Sequence, residues 1–160
     1  RTGELKLTFS EHLSSTWSLV FTPDGKSILT GQDKNVVLWR NAVIGSIGKL
    51  AMLGHTRAVL CVDISIDSKL IISGSRDKTV KIWNAATGNL IKDIDMFQST
   101  VYALDISPKN DFFITSGNNS KFYIWNINDH TLTDSIKTEG AEISTMQFHP
   151  SGNYLQSQSS

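Results

Sequence analysis

The sequence predicts an all-β protein assembled from repeats of a four-stranded antiparallel sheet, and three observations predict it. Overlaid on itself, the chain aligns "FTPDGKSILTG" (21–31), "ISIDSKLIISG" (64–74), "ISPKNDFFITSG" (106–117) and "FHPSGNYLQSQ" (148–158). Pro23, Ile66, Pro108 and Pro150 then fall at spacings of 43, 42 and 42, and a fixed period of this length marks a repeat architecture. Trp39, Trp83 and Trp125 recur in step with it. No window sustains the i, i+3, i+4 apolar spacing of a helix.

The second unit justifies the elements one by one. Residues 58–64, 69–75, 79–83 and 89–94 are short apolar or β-branched runs. Between them lie the turn elements "IDSK", "SRDK" and "NAATGN", so four strands joined by hairpins are expected. In the third run Val80 and Ile82 share one face, while Thr79, Lys81 and Trp83 share the other. A large indole on the otherwise polar face has a place only if both faces of the sheet pack on neighbouring sheets. That is the geometry of propeller blades.

"GH" at 54–55, "SGSRD" at 73–77 and "KIW" at 81–83, on a period of about 42, resemble the WD40 repeat. The similarity extends over the whole chain and is best kept in 54–95. It implies a β-propeller segment, about half of a seven-bladed ring; a closed four-bladed ring fits less well. The expected boundaries are 2–9 as the outer strand of a preceding blade, blades at 11–53, 54–95 and 96–137, and two strands of an incomplete blade at 138–160. The glycine–histidine pair becomes Glu11-His12, Met96-Phe97 and Thr138-Glu139 elsewhere, and the residue after tryptophan is Arg40, Asn84 or Asn126. The first unit is one residue short between its second and third strands. The chain begins without methionine and stops within a repeat. A longer parent is therefore expected, with the rest of the ring in the same chain or in a second copy.

The stretch "GHTRAVLCVDISIDSKLIISGSRD" (54–77) holds His55, Ser73 and Asp77, the residue types of a hydrolytic triad. The serine lacks the G-x-S-x-G elbow that a hydrolase uses to expose its nucleophile. The resemblance instead implies a structural tetrad with Trp83. A buried indole N–H needs an acceptor, a hydroxyl on the next strand supplies it, and a histidine held by a turn aspartate completes the set. His12, Thr30, Asp33 and Trp39 are expected to form a similar set. Thr115, Asn119 and Trp125 form one without histidine, since Phe97 takes that place, and that blade is expected to rely on packing.

Composition excludes some function classes. Fifteen basic and fifteen acidic residues among 160 cancel, so no charge excess points to nucleic acid or an anionic membrane. No apolar run approaches the roughly 20 residues of a membrane helix. Cys61 is expected as a buried free thiol, which favours a reducing, intracellular setting, cytoplasm or nucleus. His130 and His149 are isolated, and no Cys/His cluster or phosphate loop is present, so neither metal nor cofactor is expected. "NNS" at 118–120 matches a glycosylation sequon, a short pattern that carries no weight.

The resemblance places partner contacts on the loop face around the channel. Trp17, Leu60, Tyr102 and Ser144 occupy one position there, and Gln32, Arg76 and Asn118 occupy another, just before the turn aspartate or its counterpart. Aromatic residues with an arginine are the composition of a binding hot spot. The expected function is a non-catalytic scaffold that holds peptides or subunits of an intracellular complex. The alternatives are a purely structural subunit using blade sides or edges and, more remotely, a propeller hydrolase.

Overall fold

The computed structural model describes residues 15–41, 48–117, 120–138 and 143–159. Fourteen strands and no helix are found among them. The first sheet joins β1 (Thr16–Phe21), β2 (Ile28–Gln32), β3 (Asn35–Arg40) and β4 (Gly48–Leu53). The second joins β5 (Val59–Ile64), β6 (Leu70–Ser75), β7 (Val80–Asn84) and β8 (Leu90–Ile94). The third joins β9 (Val101–Ile106), β10 (Phe112–Gly117), β11 (Lys121–Asn126) and β12 (Leu132–Lys137), and β13 (Ile143–Phe148) pairs with β14 (Leu155–Ser159). Every pairing is antiparallel between chain neighbours, so each sheet is a meander.

Turn chemistry accounts for the hairpins. Ser68, Lys78 and Asn110 adopt positive φ at turn positions, where polar residues tolerate the left-handed region. The residue after the tryptophan acts in the following turn in the second and third sheets. Asn84 Oδ1 accepts the N–H groups of Ala86 and Thr87 at 2.9 and 3.0 Å. Asn126 Oδ1 accepts that of Asn128 at 2.8 Å. An asparagine carbonyl thus serves as a turn acceptor here, as a carboxylate would.

The sheets pack face to face, and the core lies in the seams. Between the first and second sheets are Leu29, Val36, Met52, Val59, Val62, Ile71 and Trp83. Between the second and third are Ile72, Val80, Ile82, Phe97, Val101, Leu104, Phe113 and Trp125. Ala103, Ile114, Ile143 and Met146 join the third sheet to β13. Val80 and Ile82 therefore face the third sheet while Trp83 faces the first, which is why the indole sits on the side away from its apolar neighbours. Lys81, expected on a polar face, is buried on that side, its ammonium paired with Asp93 of β8.

Close approach between sheets depends on a small residue in the second strand of each. A Cβ on Gly74 would lie 2.6 Å from Val101 Cγ1 and 2.7 Å from Cys61 Sγ. Gly31 stands in the same relation to Val59, at 2.9 Å. In the third sheet Ser116 takes the position and its hydroxyl donates to the Ile143 carbonyl at 3.1 Å. Gly74→Ala is expected to force Val101 outward and cost about 1–3 kcal/mol, read as a lower midpoint in urea unfolding. A midpoint equal to the parent's would refute the close-packing account.

Candidate functional site

Two clusters were singled out by sequence, and the fold assembles them in different places. The first is a hydrogen-bonded chain through the second sheet. The Trp83 indole N–H donates to Ser73 Oγ at 2.9 Å. His55 Nε2 lies 2.8 Å from the same oxygen, and its Nδ1 lies 2.9 Å from Asp77 Oδ2. Asp77 also accepts the Thr56 N–H at 2.8 Å, the Thr79 N–H at 3.0 Å and the Thr79 hydroxyl at 2.7 Å. With Nδ1–H given to the carboxylate, Nε2 accepts the Ser73 hydroxyl proton, and every polar atom in the chain is used.

This connectivity is that of a hydrolytic triad, but access decides what it can do. Ser73 is 0 % exposed, and the His55 side chain is fully buried with it. The oxygen that would attack a substrate already accepts the Trp83 N–H. Burial opposes ionisation of Asp77, yet the bonds from His55, Thr56 and Thr79 hold its carboxyl well below the usual carboxylate range. The glycine before the histidine has a steric reason: a Cβ on Gly54 would lie 3.1 Å from Trp83 Cη2.

The other units repeat the indole–hydroxyl contact. Trp39 Nε1 donates to Thr30 Oγ1 and Trp125 Nε1 to Thr115 Oγ1, both at 3.0 Å. His12 and Asn119 lie outside the described residues. In the third sheet Phe97 is buried, with its ring 5.2 Å from Tyr123 and 5.9 Å from Trp125, while Phe113 stacks on Trp125 at 5.9 Å. An aromatic cluster occupies the space that imidazole fills in the second sheet.

The first sheet corrects two expectations. Its hairpin pairs Gln32 with Asn35 across a two-residue turn, whereas the second sheet has three residues between Ser75 and Thr79. Asp33 N donates to Ser15 O just as Arg76 N donates to Ala58 O, so Asp33 holds the register place of Arg76 and not that of Asp77. Gln32, expected on the exposed rim, stands at the place of Ser75. It is 6 % exposed, with its amide toward the Thr30 hydroxyl at 3.4 Å.

The second cluster lies on the inner-strand side. Trp17, Leu60, Tyr102 and Ser144, one from each of β1, β5, β9 and β13, line a single open cavity of about 560 Å³. Trp17 is 51 % exposed, and the Arg76 guanidinium lies over its ring at 5.0 Å, bridging the first and second sheets. Asn118 lies outside the described residues. The cavity also exposes two groups that reasoning from turns passes over, Asp63 and Asp105. The signal was present as "DIS" recurring at 63–65 and 105–107. Among the described residues no group of three or more His, Cys, Asp or Glu side chains is placed to hold a metal ion.

Consecutive four-stranded meanders, packed face to face with their first strands around one cavity, define blades of a β-propeller. The WD40 family pattern (WD domain, G-beta repeat) matches residues 3–40, 48–84 and 88–126, and the chain belongs to that family. Among curated proteins it is 29 % identical over 173 residues to Protein ROOT INITIATION DEFECTIVE 3 of Arabidopsis thaliana, covering 96 % of this chain and 39 % of that one. It is 25 % identical over 144 residues to Protein hir1 of Schizosaccharomyces pombe, covering 79 % of this chain and 16 % of that one. Among solved structures, one described as "Structure of U3-55K" superimposes with a TM-score of 0.77 at 23 % identity, covering 84 % of this chain and 43 % of that chain. The chain thus spans well under half the length of these relatives.

Asp77→Ala is expected to strand His55 and lower stability by about 2–3 kcal/mol, measured as a drop in melting temperature. The folded carboxyl titrates below its unfolded value, so its stabilisation is present above about pH 4 and is lost as pH falls further. The variant should therefore lose less stability than the parent on acidification; equal loss would refute the role of the carboxylate.

Proposed function

We infer that this chain is the blade-bearing part of a non-catalytic protein-interaction scaffold that holds peptides or subunits of a larger intracellular assembly on the loop face of its propeller. The observation that carries the reading is the convergence of Trp17, Leu60, Tyr102 and Ser144 on one cavity, with Arg76 stacked on the half-exposed Trp17 at its mouth. Rigid aromatic groups lose little entropy on binding, and an arginine beside them supplies directional hydrogen bonds. Family membership supports the scaffold class.

In this reading each four-stranded sheet is one blade, with units at 11–53, 54–95 and 96–137. The remaining blades come from the same parent chain or from a second copy. His55, Ser73, Asp77 and Trp83 act as a structural clamp, and burial of Ser73 argues against nucleophilic chemistry there. One observation favours the structural-subunit reading instead. β12 is exposed along its whole length and presents Leu132 and Ile136, a surface suited to permanent coverage by a neighbour.

Replacing Trp17, Arg76 and Tyr102 by alanine tests the rim. The triple variant is expected to lose roughly 2 kcal/mol or more of partner affinity while its circular dichroism melt stays unchanged, with partners captured from cell extract as the readout. Capture at parental strength would transfer the function to the blade sides. Ester hydrolysis that vanishes with Ser73→Ala would overturn the non-catalytic assignment altogether.

A further inference from the structure

Asp63 and Asp105 belong neither to the clamp nor to the rim, yet they occupy one repeat position on adjacent inner strands. Asp63 Oδ1 accepts the N–H of Ile64 at 2.7 Å, and its Oδ2 accepts the N–H of Ile106 on β9 at 2.9 Å. Asp105 Oδ2 in turn accepts the N–H of Phe148 on β13. Each carboxyl joins its own sheet to the next at a sequence offset of 43. The two carboxyls line the same two cavities from neighbouring inner strands, and a hydrogen bond between two carboxyl groups requires a proton on one of them.

The described residues that line the pair's cavities carry no countercharge. Asp63, Asp105 and Gln147 line both the cavity of about 560 Å³ and a second one of about 520 Å³ that opens among Pro23, Ile66, Pro108 and Pro150. Among the described residues no Lys, Arg, His or Glu lines either cavity, and the titratable groups there besides the pair are Cys61 and Tyr102. β1 presents Ser18 and Val20, β13 and β14 present Gln147 and Gln156, and Ile72 and Ile114 stand opposite the aspartates in β6 and β10. On the turns after the inner strands, Lys69 pairs with Asp67 at 3.2 Å and Lys109 donates to Asn153 at 3.0 Å.

We propose that Asp63 and Asp105 share one proton across the seam, which makes the inner wall of the propeller a pH-sensitive joint between three consecutive sheets. With the proton in place Asp63 donates to Asp105, and both still accept the N–H of the next inner strand. Without it, two anions face each other across the seam with no cation to separate them, and like charges at such range repel strongly. Burial, opposed by the Ile106 N–H and reinforced by the Asp105 charge, pushes Asp63 up to about 7. Burial raises Asp105 as well, while the bond received from Asp63 holds it down. Since the folded value of Asp63 lies above the unfolded one, the pair's stabilisation is full below about pH 4 and is lost as pH rises through about 7. The sign is opposite to that of Asp77.

Thermal unfolding of the intact chain between about pH 5 and pH 8 reads the joint. In Asp63→Asn the amide oxygen still accepts the Ile106 N–H and the amide nitrogen donates toward Asp105, so position 63 no longer titrates; the bond from the Ile64 N–H is lost at every pH alike. The variant is expected to lose the parent's decline in melting temperature across this window, whatever uniform offset the lost Ile64 bond imposes. A decline as steep as the parent's overturns the proposal. Carboxyl carbon shifts of the unmutated chain, followed by NMR, provide a second reading that needs no variant. One aspartate titrating near neutrality supports the shared proton, and titration of every aspartate in the acid range overturns it.

Discussion

The structure depends on one constraint: the second and third sheets have neighbours on both faces, so a polar group carried into a seam must find its partner inside that seam. The indole N–H of the third strand states the problem in each of the three complete sheets. Each time a hydroxyl on the second strand answers it, Thr30, Ser73 or Thr115. That one bond fixes the register of the two strands and directs the ring toward the preceding sheet. It also leaves the hydroxyl needing a partner of its own.

How that remaining need is met distinguishes the sheets. In the second, His55 and Asp77 extend the chain of bonds to a turn, so a buried polar path ends at a carboxylate near the surface. In the third, Phe97, Tyr123, Phe113 and Trp125 fill the same region with rings. The first solution stabilises through hydrogen bonds to a charge and is exposed to protonation. The second stabilises through area and ring geometry and is indifferent to it. One backbone scaffold therefore carries two seams with different chemical sensitivities.

Much of this was legible in the sequence because the repeat makes each unit a control for the others. The tryptophan spacing gave the period, and the position of Trp83 opposite Val80 and Ile82 forced two-sided packing. The strands of the second unit begin one residue later than expected, a difference at fraying ends. Position within a turn was harder to read. One missing residue before Asp33 moved it to the place of Arg76 and drew Gln32 inward, because hairpin length and not residue type decides which side chain reaches the rim. Burial of Lys81 was hidden since its partner, Asp93, belongs to a neighbouring strand. Asp63 and Asp105 were hidden in a different way: an aspartate in an apolar strand reads as an outward-facing residue until the neighbouring sheet supplies its N–H donors.

The seams also differ in how they tolerate inherited change. At the first, the Val59 N–H donates to the Asp33 carbonyl at 2.6 Å, a main-chain bond to which neither side chain contributes. The bond itself asks only for an N–H at 59, while the buried Val59 side chain is held by its packing in the seam. The ties described between the second and third sheets, and from the third to β13, run through Asp63, Asp105 and Ser116. Each of those is encoded by one codon and is lost with it. Along a single chain, then, the first junction joins a backbone tie to side-chain ties through Ser18 and Arg40, while the ties described at its neighbours run through side chains and are open to selection.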